Sequence, residues 1–408
     1  MATRLKIVLR NTSWAAKKAQ PVAMAWEGVA VAATEHKQLG SVGGAVLLAA
    51  LALPGLSPTI AHAENPPERG SIAFKYLGYK DKQPGVDRIK VRAPSVEIVA
   101  PMGSEWSMSV SAVNDVVSGA SPRQYTDVKS GASKMTDNRT GVDGSVTYYR
   151  PLSAYSFSLS NSKEHDYVSR AGGFNARFSS DDHNTTFNVG MGLSSDKIGQ
   201  TGHPEIDTRK HSNEYLVGVT QSLTRTDIVQ VNLGFNVGRG DYNDHYKGDL
   251  RPDRREELTQ LVRWNHHFES LGSSLRFSYR HYSDSWELRT HTVQAEWVQP
   301  LNDQFTLTPL LRYYTQNAAS FYVDPKPGTY HLPDVAEGEQ FTSDQRLSAF
   351  GAVTLGLRAD YQFDKDWSTD LRGDWYKQRS DWRMGGNGSP GLVPFQAVSF
   401  QWGLKRAF

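Results

Sequence analysis

The stretch IVQVNLGFNV, residues 228–237, decides the fold. Val229, Val231, Leu233, Phe235 and Val237 take alternate positions, and Gln230, Asn232, Gly234 and Asn236 fill the gaps. Successive side chains of a strand point to opposite faces, so a period of two reads as a strand with one apolar and one polar face. The alternation recurs at Phe187, Val189, Met191 and Leu193. It returns from Val353 through Leu355, Leu357, Ala359 and Tyr361 to Phe363. Helical periodicity is scarce after Gly70, and no apolar run there is long enough for a transmembrane helix.

Extending the pattern in both directions yields about sixteen strands between residues 70 and 408. The connections fall into two classes. Short ones (PMGSE, RPLS, SSDDHN, SLTRTD, ESLGSS, PLNDQ and FDKDW) alternate with long ones at 119–140, 198–208, 241–254, 321–345 and 384–393. An even strand number, with short turns at one end and long loops at the other, is the layout of an outer-membrane antiparallel up-and-down β-barrel. Both termini are then expected on the short-turn, periplasmic side. A soluble sandwich also alternates, but it does not sort its loops into two classes.

Composition agrees with a barrel turned inside out relative to a soluble protein. The 408 residues are 38% hydrophobic and 11% aromatic, with a mean hydropathy of −0.53. A membrane barrel needs an apolar outside and tolerates a polar lumen, so no large apolar core is required. The chain has no cysteine, which excludes a disulfide scaffold, a thiolate metal site and a cysteine nucleophile.

Residues 1–63 read as a leader. Six basic residues precede the apolar run Ala45–Leu53, and Ala61-His62-Ala63 forms a small-x-small cleavage site before Glu64. Met24 is an alternative start. The mature barrel is expected to be 64–408. Removing the leader takes six basic and two acidic residues from the chain's 45 and 43, leaving it at −2. No basic stripe remains for nucleic acid.

The terminal strand alternates Val398, Phe400, Trp402 and Leu404, and the chain ends on Phe408. A C-terminal aromatic closing an alternating strand resembles the signal read by the outer-membrane assembly machinery, with Phe400, Trp402, Leu404 and Phe408 carrying it. Trp106, Tyr155, Phe268, Trp297, Phe305, Trp367, Trp375 and Trp402 lie near strand ends, as interfacial girdles do. Outer-membrane lipids are therefore an expected partner.

Charges within strands share the polar face. Arg177, Arg263, Arg276, Arg280, Arg312, Arg358 and Arg372 point inward in this register, with Glu214, Glu296, Asp360, Asp370 and Asp374. These are the pore-lining candidates. Pairing the strands that flank FDKDW brings Asp360 diagonally near Arg372, and Arg358 near Asp370 or Asp374. An Arg row facing an acidic row can sort solutes by charge. The segments 119–140 and 321–345 are long enough to enter the lumen, although a mobile surface loop is the expectation for both.

Other chemistry finds little support. Asp241, Asp244, His245 and Asp249 share one loop, but their spacing is not that of an EF-hand, and a solvated loop explains them better. No metal and no cofactor is expected. No G-x-S-x-G elbow occurs. A lipid hydrolase working from the outer rim, with outward serines and His281 or His291, remains an alternative, but the chain is not expected to be an enzyme.

Long phrases then carry a resemblance. GSIAFKYLGYKDKQPGVDRIKV, SGASPRQYTDVKSGAS, ARFSSDDHNTT, LVRWNHHF and HTVQAEWVQPLNDQFTLTPLLRYYTQNAASFY are similar to an uncharacterised proteobacterial family, known as a domain of unknown function. The resemblance implies an outer-membrane barrel, often encoded near a flavin transferase and a thioredoxin-like protein. It implies periplasmic redox proteins as partners, and it offers no catalytic residues. The expected function is a pore or transport route for a small polar solute. The alternative is a non-conducting barrel that anchors extracytoplasmic redox proteins.

Overall fold

In the computed structural model, residues 65–119, 135–245, 249–325 and 335–408 are described. The leader, and with it the expected cleavage site, lies outside these residues, as does 120–134.

Sixteen strands form in chain order. They are β1 (Ser71–Gln83), β2 (Val86–Met102), β3 (Trp106–Gly119), β4 (Met135–Arg150), β5 (Ser153–Lys163), β6 (Tyr167–Ser179), β7 (Thr185–Gln200) and β8 (His203–Ser222). The second half comprises β9 (Asp227–Gly240), β10 (Arg254–Phe268), β11 (Ser273–Asp284), β12 (Arg289–Pro300), β13 (Phe305–Gln316), β14 (Phe350–Gln362), β15 (Trp367–Arg379) and β16 (Phe395–Ala407). Each pairs antiparallel with its chain neighbours, and β1 also pairs with β16, so the sheet closes into a barrel.

Closure is what lipid demands. Every backbone N–H and C=O in hydrocarbon must be bonded within the protein, and a closed sheet has no edge. The seam runs from Ser71 opposite Ala407 to Lys82 opposite Gln396. Beyond it the Phe408 N–H donates to Gly70 O at 2.9 Å, and the Phe408 ring lies where a Cβ on Gly70 would fall.

The apolar face of every alternating strand points out. Leu159, Leu193, Val217, Leu311, Leu355 and Val398 are exposed around the wall, Leu159 by 74%. In a soluble protein such a band would aggregate; here it is the lipid-facing belt. All eight aromatics expected in girdles lie on this outer face. All but Trp375, which is level with Leu355 and Val398, sit at the short-turn rim. There Trp106 stacks beside Tyr148 (centroids 4.6 Å apart) and Phe268 beside Trp297 (5.2 Å).

Three loop expectations are corrected. The 198–208 segment is not a long loop: pairing continues through Lys197–Arg209 and Ile198–Thr208 to a tight turn at Gly202, whose φ of 84° suits glycine. The 119–140 segment is shorter at both ends, because β4 begins at Met135 and pairs with β3 from there. The 321–345 segment is not a free surface loop in its described parts. Phe321, Thr342, Ser343, Asp344 and Gln345 are buried.

Strand β16 holds the seam with one ladder and β15 with the other. Deleting Phe408 removes the last seam bond and the ring over Gly70. The expected result is a lower yield of the heat-modifiable folded form on semi-native electrophoresis, with the same loss for Phe408→Ala and rescue by Phe408→Tyr.

Candidate functional site: a charged lumen under a roof of loops

The polar positions of each strand face the lumen, and charge occurs there in two tiers. The lower tier lies toward the short-turn end. Arg358 faces Arg372 across β14–β15, and Asp360 faces Asp370. Lys75, Glu97 and Lys405 extend the belt across β16, β1 and β2: Lys75 lies in the electrostatic field of Asp370 and Arg358, and Glu97 in that of Lys75 and Lys405. On the other side Arg276 meets Glu296 at 3.8 Å and also lies in the field of Asp360. These side chains keep contact with water: Arg276 is 27% exposed and Asp360 31%.

The expected cross-strand pairs are replaced by pairs along one strand. Arg358 bonds Asp360 at 2.6 Å and Arg372 bonds Asp374 at 2.9 Å. The register explains this. Like residues stand directly opposite, arginine to arginine and aspartate to aspartate, so each guanidinium bends to the carboxylate two residues on along its own strand.

All twelve pore-lining candidates lie on the inward face. Arg263 is opposite Gln230, Arg280 opposite Thr292, Arg177 opposite Asn188 and Glu214 opposite Asn236. They do not form one cluster. Arg312 sits higher, buried, its Nε donating to Gln294 Oε1 at 2.6 Å. On β7 and β9 the carboxamides of Asn188 and Asn232 are buried and have no protein partner among the described residues. Buried polar atoms of this kind need water or a polar ligand.

The upper tier lies toward the long-loop end and was missed from sequence. Asp115 pairs with Arg139 (2.5 Å), Asp196 with Lys210 (3.2 Å) and Asp284 with Arg255 (2.7 Å), each bridging neighbouring strands. Asp81, at a bulge in β1, faces Arg88 at 3.9 Å and accepts the Tyr79 O–H at 3.0 Å. The signal was present as inward parity. It was obscured because these positions lie past the apolar belt, where alternation fades.

Above this tier the long loops form a roof. Trp286, Leu288, Tyr242, Phe321, Ala319 and Leu347 pack as one apolar cluster from three connections. Arg255 stacks on Trp286, 4.2 Å from the ring centroid. A buried knot fastens the roof: Arg251 bonds Asp249 (2.5 Å) and Asp344 (3.1 Å), and the Thr342 hydroxyl donates to Asp249 at 2.9 Å. Asp241 bonds His245 at 2.7 Å, so the acidic residues of this loop are engaged in loop structure. The last loop joins through Gly391 N–H to Asp324 at 3.0 Å. Burial pushes the Asp324 carboxyl up, against the pull of the Gly391 N–H and the Tyr322 O–H. A second apolar cluster (Leu77, Tyr79, Val91, Phe350, Tyr376 and Phe395) lines the wall beneath, with Leu392 of the last loop against it.

The model of the family described as "Protein of unknown function (DUF3570)" matches residues 43–399, and the chain belongs to that family. No curated protein matches it. Among solved structures it is similar to the siderophore receptor PirA from Pseudomonas aeruginosa, with 11% identity over 83% of this chain and a TM-score of 0.43. The chain spans 62% of that receptor's length. It is also similar to OccK1 (OpdK) of Pseudomonas aeruginosa, with 8% identity, 83% of this chain, 98% of the other and a TM-score of 0.44. A bacterial polysaccharide outer membrane secretin gives 7% identity over 83% of this chain and 98% of the other, at a TM-score of 0.48. The closed strand pairing and the exposed apolar belt, rather than these likenesses, make the chain an outer-membrane β-barrel.

The knot is testable alone. Breaking a buried ion pair by removing one partner costs about 3–5 kcal/mol. Arg251→Ala should release the roof while sparing the barrel, seen as faster hydrogen exchange at 341–347 with no change in strand protection.

Proposed function

We propose that this barrel passes a small polar solute through a charge-sorted lumen that the loop roof constricts at one end. The observation that carries the reading is the lower belt. Lys75, Glu97, Arg276, Glu296, Arg358, Asp360, Asp370 and Arg372 line one arc of the lumen wall, from β11 round to β2, with both signs of charge, and they keep contact with water. Such a belt presents a transverse field to a solute and discriminates by charge and dipole. The short-turn end, where β1 begins and β16 ends, is read as periplasmic, so the wet belt forms the inner vestibule and the roof faces outward.

The roof also supports a second reading: a barrel that does not conduct and anchors extracytoplasmic redox proteins. Current separates the two. The mature chain, refolded from Glu64 in detergent and inserted into a planar bilayer, should give small stable conductance steps. Arg251→Ala should enlarge them, and Arg358→Ala or Arg372→Ala should shift the ion preference toward cations. Reproducible insertion without current, in both the native chain and Arg251→Ala, overturns the transport reading.

A further inference from the structure

The two ends of the barrel carry different charge on their outer surfaces. The short turns hold seven acidic residues, among them Asp181, Asp182 and Asp303, against two basic ones, Arg225 and Lys365. Aromatic rings form the belt's border there. At the long-loop end the border is basic. On the β1–β2 hairpin Lys80, Lys82, Lys90 and Arg92 face outward, joined by Lys377 on β15. Across the barrel Lys197, Arg209, Arg239 and Arg254 face outward on β7 to β10.

Their height is fixed by the register. Arg92 is level with Phe400 through Gly78, and Lys80 is level with Val398, both lipid-facing. The cations therefore begin where the apolar belt ends, which is where headgroups lie. Long Lys and Arg side chains reach such a level with their stems on apolar surface.

The cations also face one another. Lys80 stands directly opposite Lys90, Lys197 opposite Arg209, and Arg239 opposite Arg254. Like charges opposed across a ladder destabilise the sheet. The chain's own acids answer only part of this. Asp87 bonds Lys80 at 2.7 Å yet sits in the field of Lys82 and Lys90 as well. Asp207 bonds Lys197 at 3.2 Å, and Glu256 bonds Arg254. Lys82, Lys90, Arg92, Arg209 and Arg239 have no ion-pair partner among the described residues. Each facing pair in this exposed row therefore has one carboxylate for two cations and is short of a counter-anion. Phosphate supplies one, because its oxygens accept charge-assisted bonds from two strands at once.

We propose that this outer rim binds the phosphate groups of anionic lipid in the leaflet at the long-loop end. The bound lipid neutralises the facing pairs, fixes the barrel's height, and distinguishes its basic end from its acidic one. The surface is independent of what crosses the lumen.

The test uses the full mature chain, refolded in uncharged detergent and transferred to phosphatidylcholine bicelles doped with diphosphoryl lipid A. Bound lipid A per barrel is read after size exclusion from its 3-hydroxyacyl chains by mass spectrometry, a signal that phosphatidylcholine does not give and that both forms of lipid A share. The native chain should retain lipid A and should not retain its dephosphorylated form. The combined variant Lys80→Gln, Lys90→Gln, Lys197→Gln and Arg209→Gln should retain at least about tenfold less, since each surface cation adds to the attraction. Lys365→Gln at the short-turn end should change nothing. Equal retention by the combined variant, or of the dephosphorylated lipid by the native chain, overturns the proposal. So does saturation of the rim by inorganic phosphate alone in equilibrium dialysis, which moves the site from lipid to a free anion. Should the combined variant fail to fold, a salt titration of the native complex decides: retention that falls with salt supports the rim, and retention indifferent to salt overturns it.

Discussion

Everything in this molecule depends on the backbone hydrogen bonds between β1 and β16. Fifteen of the sixteen strand pairs join strands that follow one another in the chain. The last joins the two ends of the barrel segment, and without it the sheet has two open edges in hydrocarbon. Each unpaired group there costs several kcal/mol, so the wall either closes or cannot reside in the membrane. The chain meets this demand with matched strand lengths and with Phe408, whose backbone and ring both engage Gly70.

Once the wall is closed, the two faces separate by chemistry. The outer face needs only a continuous apolar band, so its residues are interchangeable among Leu, Val, Phe and Met. The inner face is freer, and it is used differently at each height. Low in the barrel Arg276, Arg358 and Asp360 remain wet, and the pairs on β14 and β15 run along single strands while Arg276 meets Glu296 across β11–β12. Higher up the charges are buried and paired between strands, so they stiffen the part of the wall that rises past the belt. The roof then rests on stiff strands. Its own knot joins the connection between β9 and β10 to the one between β13 and β14.

The same height dependence governs the outside. Rings mark the border at one end and cations mark it at the other, because aromatic and basic side chains solve different problems. An indole ring bridges water and hydrocarbon without requiring a counter-ion. A row of lysines and arginines requires an anion, and the strand register places them too close to one another to do without it. The acidic short turns reinforce the contrast between the two membrane faces.

The sequence by itself determined the strand number, the order of the strands and the face each residue takes. Alternation in IVQVNLGFNV and its relatives settles these through a period-two geometry that needs no partner, and all twelve inward charges were legible from parity alone. Pairing was not legible. Whether Arg358 meets Asp370 or Asp360 depends on the offset between β14 and β15, and one sequence does not state offsets. The extended β7–β8 hairpin was hidden for a similar reason: Lys197, Glu205, Asp207 and Arg209 make the outward face charged once the strands leave the lipid, so the hairpin loses the apolar-out alternation while keeping the ladder. The roof was hidden altogether. Arg251, Asp249 and Asp344 are separated by up to 95 residues in the chain, and only closure of the barrel brings their loops over one opening. Local patterning fixed each strand because a strand's face is a local property. The lumen's contents were decided by the tertiary structure, because which charges meet inside a ring depends on the whole ring.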